Sequence, residues 1–172
     1  EPTMQTDGFL ELMGEAKKHT INICLETCGA FPDWLVPILA PLVDLVLFDV
    51  KDTDEERHRH NTGFELKRVV ERLVQLDKWK VPTVMRCILI PDVNLFPEHA
   101  LALVKIYSKL HWCLCIELLP YHPLGLSKGQ RLGNMENAVS YQQPSESQLV
   151  SFARLLSFHG VPVKLYGSRF SG

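Results

Sequence analysis

Three short stretches of this sequence combine acids, fixed cations and a histidine at spacings that suit binding chemistry. They are Glu26-Thr27, Asp49-Val50-Lys51 and Tyr121-His122, and Arg86 stands alone inside an otherwise apolar run. Two carboxylates, two cations and an imidazole gathered on one surface would make a charged pocket for a zwitterionic small molecule. Taken singly, each charged residue also has a structural reading as a solvated or salt-bridged side chain. Arg86 resists that reading most, because an arginine within a buried strand must find a partner or a ligand.

Two further clusters could do chemistry. Arg57-His58-Arg59-His60 offers imidazoles at i and i+2, which on a helix point to different faces, so a solvated or partner-facing surface is expected instead of a metal site. The five cysteines are Cys24, Cys28, Cys87, Cys113 and Cys115. Cys24 and Cys28 have C-x-x-x-C spacing, but Phe31 stands where a third thiolate of a cluster loop would be. Cys113 and Cys115, one residue apart in a strand, are expected on one side of a sheet. All five are read as small buried hydrophobes.

These groups can converge only if the elements that carry them do. Strand patterns at Ile21–Glu26, Leu45–Val50, Thr83–Ile90, Cys113–Leu119 and Val161–Tyr166 alternate with helical patterns. Asp7 is expected to cap the first helix. Short helices follow at Trp34–Leu39 and from Asp54, the latter interrupted by Asn61-Thr62-Gly63. Phe64–Trp79 has an amphipathic stripe, Pro97–Leu110 is another helix, and Ser145 opens the last one with the S-x-x-Q signature of a capping box after a long polar loop. Strands separated by helices predict parallel β-α units, since a parallel crossover usually needs a helix. In such folds chemistry gathers at the carboxyl ends of strands, where Glu26, Asp49, Lys51 and His122 would lie.

Composition sets outer limits. A chain of 172 residues, 46% hydrophobic, is long enough for one domain with a sizeable core. Charged residues make up 22% and the net charge is −2, so nothing marks a nucleic-acid binder. The apolar runs are strand-sized and no membrane span is expected. An odd cysteine count without a disulfide framework, in a chain with no signal peptide, suits a reduced, cytoplasmic protein.

Six motifs in order now carry a resemblance. Glu1-Pro2 is similar to the end of a Gly-Gly-Glu-Pro motif, and Leu25-Glu26-Thr27-Cys28-Gly29 resembles a D/E-T-x-G strand end. Phe48-Asp49-Val50-Lys51 resembles L-D-x-K, and His58 with Thr62-Gly63 resembles H-x-x-x-T-G. Val84-Met85-Arg86 with Ile90-Pro91 resembles a v-x-R…v-P strand. Ile116 to His122 reads I-E-L-L-P-Y-H, followed by Gly125 and Lys128. Together they resemble the radical S-adenosylmethionine (SAM) activating enzymes of glycyl radical enzymes, the pyruvate formate-lyase activating enzyme family, over nearly the whole chain.

The resemblance implies an α/β fold, a partial parallel (β/α) barrel of the radical SAM type, of which residues 1–172 form a single domain with the later strands and helices. It implies an activase that cleaves SAM reductively and abstracts hydrogen from a glycine of a glycyl radical enzyme, fed by a donor such as flavodoxin or ferredoxin. SAM would be held by Glu1 at its amino group, Glu26 near the ribose or methionine end, Lys51 and Arg86 at carboxylate or hydroxyl groups, Asp49 at the pocket mouth and His122 near the reaction centre. A monovalent cation could sit among Glu26, Thr27 and Asp49. The family's [4Fe–4S] cluster needs three cysteines, expected upstream of Glu1, so this chain alone is expected to hold no cluster, to carry no catalytic residue and to be inactive. Two alternatives are a relative that only binds SAM or a partner, and a barrel aldolase using Lys51 as a Schiff-base lysine.

Overall fold

In the computed structural model, residues 1–123 and 141–166 are described. Gly125 and Lys128, and most of the expected polar loop before Ser145, lie outside the described residues.

A 3₁₀ turn, Pro2–Gln5, leads into α1, Thr6–Lys18. The strands are β1, Cys24–Thr27; β2, Leu45–Asp49; β3, Thr83–Leu89; β4, Cys113–Pro120; and β5, Val163–Leu165. Between them run α2, Val36–Leu39; α3, Glu55–Thr62; α4, Leu66–Lys78; α5, Pro97–Tyr107; and α6, Glu146–Phe158. The strands form one all-parallel sheet in sequence order, β1-β2-β3-β4-β5.

Alternation within the strands gives the sheet two unlike faces. Leu25, Val46, Phe48, Met85, Cys87, Leu89, Ile116 and Leu118 are buried in one continuous core with residues of the helices. On α4 the contribution is Leu66, Val69, Leu73 and Leu76, a repeat of three and four that lines one side of the helix. The opposite face carries Cys24, Glu26, Leu47, Val84, Arg86, Ile88 and Cys115, all exposed or half-buried. That open face, at the carboxyl ends of parallel strands, is where a ligand can reach the sheet.

Local chemistry sets the helix ends. Ser145 forms the expected capping box with Gln148. Asp54 caps α3 by accepting from the Arg57 amide, and Gly63 closes it with φ 76°. Asp7 is not a cap: Glu1 caps the 3₁₀ turn by accepting from Thr3, and Asp7 lies in the first turn of α1. The Pro2 ring suits the start of a helix, which moves the helical segment ahead of the predicted position.

Gly29 follows β1 with φ +74°, and a Cβ there would lie 2.5 Å from the ring of fully buried Phe48. Gly29→Ala is therefore expected to destabilise the chain by about 2–4 kcal/mol, from left-handed strain plus overpacking. A urea titration checks it; a midpoint within error of the parent would contradict the packing described.

Candidate functional site

The site is a row of charge on the open face. Register places Asp49 of β2 beside Arg86 of β3, Arg86 beside Glu117 of β4, and Glu117 beside Lys164 of β5. Signs alternate across four strands. Arg86 Nε donates to Asp49 Oδ1 at 2.8 Å, and its guanidinium also pairs with Glu26 Oε1. Lys51 Nζ meets the second Asp49 oxygen at 2.5 Å, and Lys164 Nζ lies 3.1 Å from Glu117 Oε1. Asp49 and Arg86 side chains are each 12% exposed, whereas Glu26 is 63% and Lys51 is 43% exposed. An inner pair thus fixes the geometry, and the outer acid and cation face solvent.

Glu1 stands at the end of β1. Its carboxylate accepts from Thr3 Oγ1 at 2.7 Å, Thr27 Oγ1 at 2.9 Å and the Cys28 amide at 3.1 Å. Burial opposes ionisation of Glu1, but the hydrogen bonds from Thr3, the Cys28 amide, Thr27 and the Cys28 thiol outweigh it, and its pKa falls below the ordinary value. Glu1 therefore braces the end of β1. His122 stands exposed two residues past the end of β4.

The three oxygens proposed for a monovalent cation do not converge. Glu26 and Thr27 are consecutive in β1, so one lies on the open face and the other, 3% exposed, turns away and donates to Glu1.

Other expectations are corrected. Arg57 and His58 are not a solvated surface. Arg57 holds the carboxylate of Asp52, with Nε 2.5 Å from Oδ2. His58 is 2% exposed, with Nδ1 2.9 Å from the Phe64 carbonyl. The H-x-x-x-T-G segment is thereby a built turn: Thr62 Oγ1 donates to the His58 carbonyl and accepts from the Phe64 amide. The cysteines also divide. Cys87 and Cys113 are buried, Cys28 and Cys115 are half-buried, and Cys24 is exposed on the open face of β1. Cys113 and Cys115 do not share a face, because the register slips there: Thr83 pairs with Cys113 while its neighbour Val84 pairs with Cys115.

Glu117 and Lys164 were not singled out from sequence. The signal available for Glu117 was the one that marked Arg86, a charge within an apolar strand. Nothing local marks Lys164, whose position comes from register alone.

A pocket of about 370 Å³ opens beside the row, lined by Lys51, Asn61, Thr62, Ile88, Ile90 and Tyr141, among others. The row presents acids for an ammonium group and cations for a carboxylate, so the residues fit a zwitterionic ligand such as SAM. Among the described residues no three His, Cys, Asp or Glu side chains are grouped to hold a metal ion.

No protein-family model matches the chain. Sequence comparison does find relatives. The choline trimethylamine-lyase activating enzyme of Oleidesulfovibrio alaskensis is 34% identical over 136 residues, 77% of this chain and 44% of that protein. The isethionate sulfite-lyase activating enzyme of Desulfovibrio desulfuricans is also 34% identical, over 135 residues, 77% of this chain and 43% of its own length. The pyruvate formate-lyase-activating enzyme of Staphylococcus epidermidis is 27% identical over 174 residues, 96% of this chain and 68% of that one. The chain is homologous to these three activating enzymes over the stretches given.

Solved structures agree on the fold. A domain of the pyruvate-formate lyase-activating enzyme from Bacteroides vulgatus superposes with TM-score 0.81 at 19% identity, covering 97% of this chain and 94% of that one. A radical SAM methyltransferase from Sphaerobacter thermophilus gives TM-score 0.67 at 16% identity, with 97% and 48% covered. The chain has the partial barrel of radical SAM proteins. It spans under half the length of the choline trimethylamine-lyase and isethionate sulfite-lyase activating enzymes. Among the described residues no helix is long and apolar enough to cross a membrane.

Proposed function

We propose that this chain forms the SAM-binding part of an activating enzyme that installs a glycyl radical in a partner lyase. The observation that carries this reading is the connected row Glu26–Arg86–Asp49–Lys51 on the open strand-end face of an activating-enzyme homologue. Bound SAM beside a reduced [4Fe–4S] cluster, carried elsewhere in the whole protein, supplies the chemistry of removing a hydrogen atom from the partner's glycine.

The chain's own residues do the binding and orienting. Glu26 and Asp49 receive the ammonium end or a ribose hydroxyl. Lys51 and Arg86 face the carboxylate, with Arg86 kept in place by Asp49 and not by the ligand. Glu1 squares the end of β1, and His122 lies near the reacting carbon. An oriented zwitterion loses less freedom in the reaction than a loosely held one, which is where positioning gains rate. The partner is a glycyl radical enzyme, the electron donor a small redox protein such as flavodoxin or ferredoxin, and the setting cytoplasmic.

The aldolase alternative fits poorly. A Schiff-base lysine needs a closed, desolvated pocket, whereas Lys51 is 43% exposed and already paired with Asp49.

The deciding experiment extends the coding sequence upstream of Glu1, reconstitutes iron and sulfide anaerobically, and mixes the product with SAM, a reductant and candidate lyases. The expected result is a glycyl radical signal in electron paramagnetic resonance with one lyase, from among those acting on choline, isethionate or pyruvate. A cluster-loaded protein that cleaves SAM with none of them, or an upstream frame with no C-x-x-x-C-x-x-C, would overturn the catalytic reading in favour of a protein that only binds.

A further inference from the structure

Behind the open face a second polar group lies buried under the loop that carries Lys51. Residues 50–54 form neither strand nor helix. Asp52, 2% exposed, accepts from Arg57 Nε at 2.5 Å and Nη2 at 2.8 Å, and from the Thr53 and Asp54 amides. Thr53 Oγ1 is 2.6 Å from Nδ1 of His99 on α5, and His99 Nε2 is 3.0 Å from Sγ of Cys87 on β3. Cys87 is the neighbour of Arg86 in that strand. Asn94 Nδ2 donates to the Lys51 carbonyl at 3.4 Å and to the Ile88 carbonyl at 2.8 Å.

Cysteine, histidine and aspartate so arranged have the composition of a nucleophilic triad, but the surroundings forbid that chemistry. Cys87 is fully buried and burial pushes its thiol far up, while burial, partly opposed by Asp52, takes His99 down to about 4. No thiolate forms and no substrate reaches it. What remains is a neutral imidazole with one donor and one acceptor nitrogen. It joins a hydroxyl on the Lys51 loop to a thiol on the Arg86 strand, with His99 and Cys87 both buried, where polar links hold geometry tightly.

We infer that the Thr53–His99–Cys87 link positions Lys51 relative to Arg86, which makes His99 a positioning residue acting from the helix side of the sheet. The inference rests on the reading of Lys51 and Arg86 as ligand-binding groups. Leucine at position 99 would fill space yet leave the Thr53 hydroxyl and the Cys87 thiol without that partner.

The test uses the 172-residue chain, with SAM binding by calorimetry and amide hydrogen exchange by nuclear magnetic resonance. Thr53→Val severs the link from the half-buried loop side and avoids the risk that His99→Leu fails to fold. It is expected to speed exchange at residues 51–53 about tenfold while β4 amides keep their protection, and to weaken SAM binding about fivefold. Thr53→Ser should restore both. Unchanged exchange at residues 51–53, or a rise spread equally over β4 as from general destabilisation, overturns the link. Faster local exchange with unchanged SAM affinity, where Lys51→Ala does weaken binding, overturns positioning. Lys51→Ala with no effect on binding sinks the ligand reading itself, and the link then stands or falls by exchange alone.

Discussion

Arg86→Met is expected to abolish the proposed activation and to destabilise this chain by about 2–4 kcal/mol. The arginine is 12% exposed and ties β3 to both strands on one side of it, to Asp49 of the adjacent β2 and, across it, to Glu26 of β1. Methionine preserves most of the packing volume but leaves Asp49, also 12% exposed, with Lys51 as its single cationic contact. Removing one partner of a buried pair is far more damaging than exchanging both, because the remaining charge stays desolvated. Glu26 is 63% exposed, so its share of the loss is small and screened by solvent. The double variant Arg86→Met with Asp49→Asn should accordingly recover part of the stability and none of the function. Urea midpoints for the four proteins of that cycle decide it. Equal losses for the single and double variants would mean that Asp49 is not held by Arg86.

Stability is expected to fall by about 3 kcal/mol as pH drops from the ordinary histidine range toward 4, with His99 the main cause. The unfolded chain takes up a proton on this residue near 6.5, while the folded chain resists until about 4, because burial disfavours the imidazolium more than nearby Asp52 favours it. A depressed folded value means the contribution is complete above the unfolded pKa and is lost as pH falls through the folded one. Within that window the unfolded state binds more protons, so unfolding becomes easier with each step down. The groups facing His99 are Cys87, Thr53, Asp52 and the Phe152 ring, with Arg57 beyond. Asp52 continues the trend at lower pH. Burial opposes its ionisation, but Arg57 and the Asp54 amide outweigh that and hold its pKa below 3.8, so its contribution disappears only as pH falls through that lowered value. Denaturation midpoints measured between about pH 7 and about pH 4.5 should slope steeply in the parent and flatten in His99→Gln. Parallel profiles would assign the acid sensitivity elsewhere.

Much of this could be read along the chain. The alternation of apolar runs with amphipathic stretches specified a parallel sheet, because a parallel crossover needs the length a helix provides. Ser145 with Gln148, and Gly63 after Thr62, marked helix ends through bonds within a few residues. The strand ends carrying Glu26, Asp49 and Lys51 were legible for the same reason: a turn follows each, and parallel strands send those ends to one side. Glu26, Asp49, Lys51 and Arg86 do meet there, as charge in an apolar run suggested.

Tertiary structure decided the rest. Thr27 was grouped with Glu26 and Asp49 as a cation ligand on the resemblance, yet strand alternation turns it toward Glu1, the cap of the 3₁₀ turn ahead of α1. Cys113 and Cys115 were assigned one face by period, and a single slip in register against β3 separated them. His58 and Arg57 read as surface in a polar helix; what engages them is the Phe64 carbonyl and the Asp52 carboxylate, groups that reach them only when the chain folds back. The Thr53–His99–Cys87 link joins residues 46 and 12 positions apart, and no periodicity encodes such a meeting. Sequence by itself determined which segments become strands and helices and which charges lie at strand ends, because those follow from local period and turn chemistry. Which charge meets which, and from which side of the sheet the site is braced, was decided by register and helix packing, since both are properties of distant segments brought together.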